Sequence, residues 1–331
     1  MNARPTGAPS EQDTRRGSLR FLILGTPRSG TTLVQRLASE LPGVSLPPET
    51  HFFRFLHPSR LRRLRFPLAE PGLGQLIADY VGLDSARGLG VNVDRIVADL
   101  GGVANSPLEL FDALVRQVAG PAQVYGEKSP PHLLWWRALA RARPDLKLVA
   151  VVRDPRAVVA SNLAVPWGMG SAVVLAEQWA ADQREVARAA EELGERCLVL
   201  RYEEVVADPG AARARIAALL GVRPDVAPSL RPGTRVYLDW EHGWKGHAVG
   251  EVTTDRVDAW REALGPETLA VITAVCAAGM RAFGYPVPEL EGRLRVPLTD
   301  RIRRAHFRLA RRRRRRRIDR LDPVALSGRH G

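Results

Sequence analysis

Arg28, Ser29, Thr31 and Thr32 lie close together in the stretch Gly25-Thr26-Pro27-Arg28-Ser29-Gly30-Thr31-Thr32. A permanent cation and several hydroxyl donors beside two glycines suit one task above others, the holding of a phosphate or sulfate group. The flanking residues supply the geometry. Phe21-Leu22-Ile23-Leu24 is a short apolar run of the kind a buried parallel strand needs, and Leu33, Val34, Leu37, Ala38 and Leu41 recur at helical spacing. Strand, tight turn and helix aim backbone N–H groups and a helix N-terminus at an anion. Gly25 and Gly30 permit the close approach. The spacing copies the first half of a nucleotide-binding P-loop. The second half departs from it: Thr31 and Thr32 stand where Lys and Ser/Thr belong, and the cation sits inside the loop as Arg28. This weighs against a Mg-ATP enzyme.

Three further clusters carry chemistry. Leu146 to Val152 reads as a core strand that delivers Arg153, and Asp154 and Pro155 have the residue types of an N-cap and a first helical position. Arg153 therefore leaves the sheet at its carboxyl edge, where open α/β sheets bind ligands. Ser161, two helical turns further on, can return its hydroxyl towards it. Gln123-Val124-Tyr125-Gly126 reads as a strand that delivers Glu127-Lys128-Ser129-Pro130. Pro47-Pro48 holds the chain extended and presents Glu49-Thr50-His51-Phe52-Phe53.

Pro27-Arg28-Ser29-Gly30-Thr31-Thr32-Leu33 resembles the 5′-phosphosulfate loop of sulfotransferases that use 3′-phosphoadenosine-5′-phosphosulfate (PAPS). Val151 to Asn162 resembles the 3′-phosphate segment of the same family. Glu127-Lys128-Ser129-Pro130 is similar to a segment of the carbohydrate-type enzymes, and Pro48-Glu49-Thr50 to one of the tyrosylprotein enzymes. Trp260-Arg261, after Thr253-Thr254-Asp255-Arg256, resembles a late segment that lies over the 3′-phosphate. These resemblances run from about Arg20 to Phe283. They imply a cofactor site of Arg28, Ser29, Gly30, Thr31, Thr32, Arg153 and Ser161. They also imply catalytic roles for Arg28 and Lys128 in charge stabilisation, and for a glutamate as general base. Glu49 is favoured for that role, then Glu127, then His51, each with a plainer structural reading as a cap, a local ion pair or a packing histidine. The implied reaction is in-line transfer of a sulfuryl group from PAPS to a hydroxyl or amine, leaving adenosine 3′,5′-bisphosphate, with no metal. The acceptor class stays open among small molecule, carbohydrate, lipid and peptide. A P-loop small-molecule kinase is the runner-up, and a non-catalytic PAPS-fold scaffold acting through the basic tail is a third reading.

The elements that must position these residues alternate strand and helix. That order predicts a P-loop-like, three-layer α/β fold, a central parallel sheet with helices on both faces. Residues 1–18 read as disordered, 19–290 as the sulfotransferase domain, and 54–120 within it as a helical insertion covering the acceptor side. A long helix is expected over Ala172 to Leu193. Arg201-Tyr202-Glu203-Glu204 reads as structural, with Glu203 capping or pairing locally. The aromatic residues Phe52, Phe53, Trp135, Trp136 and Trp167 read mostly as core. Cys197 and Cys276 sit in apolar runs without metal-ligand spacing and read as buried thiols.

The 331-residue chain is 45% hydrophobic and 26% charged, values of an ordinary globular protein. Its net charge of +13 is unevenly spread, because residues 301–320 hold twelve arginines and one aspartate. The remainder is close to neutral. Residues 291–331 therefore read as an Arg-rich tail, with three readings open: a solvated, disordered segment, a basic helix on an anionic membrane surface through Ile302, Phe307 and Leu309, or a nonspecific nucleic-acid binder. Nucleic acid is the least favoured, since no reading motif accompanies it. The expected location is cytoplasmic, with peripheral membrane contact through the tail, because no apolar run reaches the roughly 18 residues that span a bilayer.

Overall fold

Apolar residues alternate between two sides of each central strand, and this builds the layers. In β1 (Leu19–Gly25), Leu22 and Leu24 join one buried cluster while Phe21 and Ile23 join another. In β6 (Lys147–Val152), Leu148, Ala150 and Val152 take the first side and Val149 and Val151 the second. The sheet thus has a hydrophobic core on each face, as a parallel sheet clothed by helices requires. The computed structural model describes residues 19–165, 170–224, 230, 232–289 and 296–328. Residues 1–18 and Trp167 lie outside them.

β2 (Val44–Ser45), β5 (Val124–Lys128) and β7 (Cys197–Arg201) complete a five-stranded parallel sheet in the order β2-β5-β1-β6-β7. The central strand β1 has β5 on one side and β6 on the other. The carboxyl ends of these three strands face one crevice, the location at which open α/β sheets place ligands. A small antiparallel pair, β3 (Leu68–Ala69) with β4 (Val103–Ala104), lies inside the 54–120 insertion.

Six helices matter to the argument. They are α1 (Thr31–Ser39), α2 (Pro107–Ala119), α3 (Pro155–Leu163), α4 (Ala172–Leu193), α5 (Pro266–Ala282) and α6 (Leu298–Asp319). α1 packs Leu33, Val34, Leu37 and Ala38 on one face of the sheet, while α3, α4 and α5 cover the other. Asp154 caps α3 as its residue type implies, accepting the Arg156 N–H at 2.8 Å. Pro130 opens a 3-10 turn that becomes α-helical only at Trp136, and Trp135 and Trp136 are both core, so neither lines a pocket.

Of the three readings open for the Arg-rich segment, the structure rules against the solvated, disordered one. The segment forms the 22-residue helix α6, laid along α4. Arg304 and Arg308 pair with Glu177 at 2.8 and 2.7 Å, Arg311 with Asp182 at 2.5 Å, and Arg315 with Glu185. Glu177, Asp182 and Glu185 are all buried, and Ile318 is fully buried in the core. Buried carboxylates are costly without partners. An acidic stripe on α4 therefore selects a basic face on α6, a long-range match invisible to local charge counting.

Candidate active site

The loop after β1 is held in a conformation only a few residue types tolerate. Gly30 has φ 90°, and a Cβ there would stand 2.3 Å from the Tyr202 ring. Arg28, with φ 73°, also lies in the left-handed region, which is unusual for a side-chain-bearing residue. The loop delivers the chain into α1 with no side chain capping the helix N-terminus, so its first N–H groups point towards the crevice.

A cleft of about 1780 Å³ opens over this loop. Single drug-sized ligands occupy about 300–1,000 Å³, so two molecules can share it. Arg28, Gly30, Thr31, Thr32, Glu49, Arg153 and Ser161, all predicted from sequence, line the cleft. Ser29, Glu127 and Lys128 do not. Ser29 is fully buried beneath the loop, its N–H donated to the Thr26 carbonyl at 3.1 Å.

Two zones make up the polar lining. In the first, Arg28, Arg153 and Arg256 converge. Arg28 Nε donates to Ser161 Oγ at 3.0 Å and its NH2 to the Trp244 carbonyl at 3.1 Å. Ser161 thus meets Arg28 rather than Arg153, as its spacing alone had suggested. Arg153 donates to the carbonyls of Arg28 at 3.2 Å and Arg256 at 2.6 Å, and lies 4.2 Å above the Tyr202 ring. Its Nε is buried without a hydrogen-bond partner. Among the described residues no ion pair links any of these three arginines to a carboxylate. Burial, then Arg153 and Arg256, draw the Arg28 pKa below its ordinary value. Converging guanidinium groups with no carboxylate in contact are what an anion would relieve.

In the second zone Glu49 Oε1 accepts from Lys128, and from Lys245 Nζ at 2.6 Å. Lys245 also pairs with Glu241, and Lys128 donates to Thr32 Oγ1 at 3.2 Å. Burial pushes the Glu49 carboxyl up, but Lys128 and Lys245 outweigh it and hold the group well below the usual carboxylate range. Lys128 is fully buried behind Glu49, and desolvation lowers it to about 8 despite that partner. His51 is no surface histidine. It lines the cleft with Nε2 3.4 Å from Glu49 Oε2, and burial lowers its pKa.

Glu127, proposed from sequence as a second base, is closed off. It is fully buried and accepts from the Thr50 hydroxyl at 2.8 Å and the Ser129 hydroxyl at 2.5 Å. His132 Nε2 accepts the Phe53 N–H at 3.2 Å, so the ring proton sits on Nδ1 and is donated to Glu127 Oε2 at 2.9 Å. This network anchors the segment that presents Glu49. Burial pushes Glu127 up, while His132, Ser129 and Thr50 together hold it below its ordinary value. Glu127→Gln sets an amide donor against other donors and should cost about 3 kcal/mol. A lowered carboxyl stabilises the fold above its unfolded pKa, near 4.3, and loses that contribution on acidification. The variant should therefore unfold at lower denaturant at pH 7 and lose less further stability between about pH 5 and 3. Unchanged urea midpoints at pH 7 would contradict this role.

Lys245 and Tyr202 join the site without having been assigned to it from sequence, and Arg256 joins it from the late segment whose resemblance pointed to the 3′-phosphate. Glu241 and Lys245 stand four apart, a helical ion-pair spacing that was available as a signal. Tyr202 belongs to a segment read as structural, yet its ring supports Arg153 and blocks any side chain at Gly30. Glu203 does not pair locally. It accepts the Asp154 N–H at 3.0 Å and the Tyr285 hydroxyl at 2.7 Å, tying the turn of helix after β7 to the start of α3 and to the chain after α5. Trp260 lines the cleft and lies against Arg156, with the guanidinium carbon 4.2 Å from its ring centroid.

Comparison with known proteins agrees with this arrangement. The sequence profile of the sulfotransferase family matches residues 21–225, which include the phosphate loop, Glu49 and Arg153. Carbohydrate sulfotransferase 3 of Tetronarce californica is 26% identical over 167 residues, 43% of this chain and 36% of that protein. Carbohydrate sulfotransferase 7 of Mus musculus is 26% identical over 204 residues, 60% of this chain and 40% of that protein. The chain thus spans two fifths or less of the length of these relatives. Among solved structures, the sulfotransferase domain of the Synechococcus PCC 7002 olefin synthase superposes with a TM-score of 0.53 at 22% identity, covering 81% of this chain and 95% of that domain. The sulfotransferase domain from the curacin biosynthetic pathway gives 0.53 at 17%, covering 82% and 99%. Those superpositions bear on the fold, and the profile match on the family: this chain belongs to the sulfotransferase family.

Proposed function

We propose that the protein transfers a sulfuryl group from PAPS to a hydroxyl or amine acceptor, with Glu49 as general base. One observation carries the donor reading. Among the described residues Arg28, Arg153 and Arg256 converge without carboxylate ion pairs beside an uncapped helix N-terminus, with the Arg153 Nε buried and unpartnered. A nucleotide with two phosphate groups at separate positions fits these donors. Arg153 and Arg256 would hold the 3′-phosphate, and the N–H groups of residues 30–32 with the Thr31 and Thr32 hydroxyls would hold the 5′-phosphosulfate.

The donor supplies a sulfuryl group already attached to a good leaving phosphate, so the chain's task is positioning and charge stabilisation. Arg28 and Lys245 face the cleft with charges suited to the oxygens that gain charge. Lys128, behind Glu49, orients the carboxylate and Thr32. Glu49 takes the proton from the attacking hydroxyl or amine. The acceptor would enter beside Phe55, Leu83, Arg87 and Trp240, where the 54–120 insertion forms one wall. The carbohydrate sulfotransferases among its relatives make a sugar hydroxyl the first acceptor class to try.

Calorimetry tests the donor reading. Adenosine 3′,5′-bisphosphate should bind without divalent metal and ATP–Mg more weakly. Preference for ATP–Mg would favour a kinase and dismiss the 3′-phosphate assignment.

A further inference from the structure

We propose that the outward face of α6 docks the protein on an anionic phospholipid surface. The inward face is already spent on α4. The opposite face carries Leu298, Ile302, Ala305 and Leu309, spaced by four, three and four residues, which is one side of a helix. These are not casual exposures. Leu298 is 68% exposed, Ile302 61% and Leu309 49%, and they are among the few large apolar side chains the structure leaves open. Phe307, the third apolar residue singled out from sequence, turns to the flank and lines the groove against α4 instead.

The same line continues into charge. Arg313 and Arg320 follow on the outward side, Arg317 lies at its margin, and Arg312 and Arg316 stand at the rim of the groove against α4. All five are exposed, and none has an ion pair among the described residues. The helix therefore places an aliphatic stripe and unpaired arginines end to end on a single solvent-facing side. A soluble polyanion would use the arginines and leave the stripe in water. A neutral apolar partner would strand the arginines. A bilayer bearing anionic headgroups satisfies both, burying the aliphatic side chains at the acyl boundary while the arginines meet phosphate or carboxylate. Long arginine stems can reach the headgroups from the flanks. No helix among the described residues is long and apolar enough to cross a membrane, so the contact is peripheral. α6 also packs beside the 58–61 helix, and Arg314 adds to the positive field at Arg54 and His57, which line the cleft. The bilayer contact thus sits on an element that adjoins the cleft wall.

The test uses the full chain with Ile302→Asp and Leu309→Asp together, and separately with Arg313→Glu and Arg320→Glu. None of these residues reaches the core, so thermal midpoints should match the parent. In co-sedimentation with phosphatidylcholine vesicles carrying about 30% phosphatidylserine, the parent should bind, and each variant should lose about tenfold or more in affinity. Pure phosphatidylcholine should bind neither. The proposal is overturned if the parent ignores anionic vesicles, or if the aspartate variant binds as the parent does. It is equally overturned if heparin or RNA, but not vesicles, retains both forms, or if the stripe proves to join two copies of the chain in sedimentation velocity without vesicle binding.

Discussion

Arg153→Ala should reduce affinity for adenosine 3′,5′-bisphosphate by about 30- to 4,000-fold, the range expected when one partner of a buried, charge-assisted contact is truncated. The size follows from how this side chain is used. Two of its nitrogens brace the carbonyls of Arg28 and Arg256, its plane lies on Tyr202, and its Nε remains buried without a partner. Alanine would remove the charge and release both loops. Arg153→Lys separates the two effects, because it keeps the charge but cannot brace two carbonyls and present a further donor. It should fall between parent and alanine. Calorimetry with the bisphosphate reads both variants. If Arg153→Ala stays within roughly threefold of the parent while remaining folded, the 3′-phosphate assignment is wrong.

Glu49→Gln should lower turnover by about a hundred- to ten-thousand-fold, the usual contribution of a general base, with donor affinity little changed. In the free protein Glu49 is a poor base, since Lys128 and Lys245 hold it ionised far below neutrality. On the proposed reading, donor oxygens draw the lysines away and the carboxyl rises, so basicity appears when the donor is bound. The rate should show no acid limb near neutral pH. It should fall on the alkaline side as Lys128, lowered to about 8, loses its proton. Glu49→Gln takes away the counter-charge and should move that limb to lower pH. Turnover within about tenfold of the parent would point away from Glu49, and His51, 3.4 Å distant, is the next candidate.

Local signals revealed much of this molecule. The four-residue apolar run before Gly25, the Asp154-Pro155 pair and the long pattern from Ala172 to Leu193 each announce an element that the structure contains. Arg28, Thr31, Thr32 and Arg153 were legible because strand-end and loop residues of a parallel sheet reach one crevice whatever the packing beyond it. Glu127 misled because its type and position suit a base, while its burial depends on His132 and Thr50, which arrive through tertiary packing. Lys245 lies on a four-residue helix, His242–Lys245, too short to show a period, which left its spacing from Glu241 as the local signal. Of the three readings of the arginine run, the solvated one was wrong for the opposite reason. Its local character is unmistakable, but its partners lie more than a hundred residues earlier, on α4.

The docking of α6 also fixes the length of the arginine run. Residues 311–317 are seven identical arginines, a repeat whose copy number would be immaterial in an unstructured appendage. Here Arg311, Arg315 and Ile318 must meet Asp182, Glu185 and the core in fixed rotation about one axis. Loss or gain of a single codon turns everything beyond it by about 100°. It would swing Ile318 away from the core and carry the aspartate at 319 round with it. The repeat looks monotonous, yet its length sets where Ile318 falls around the helix.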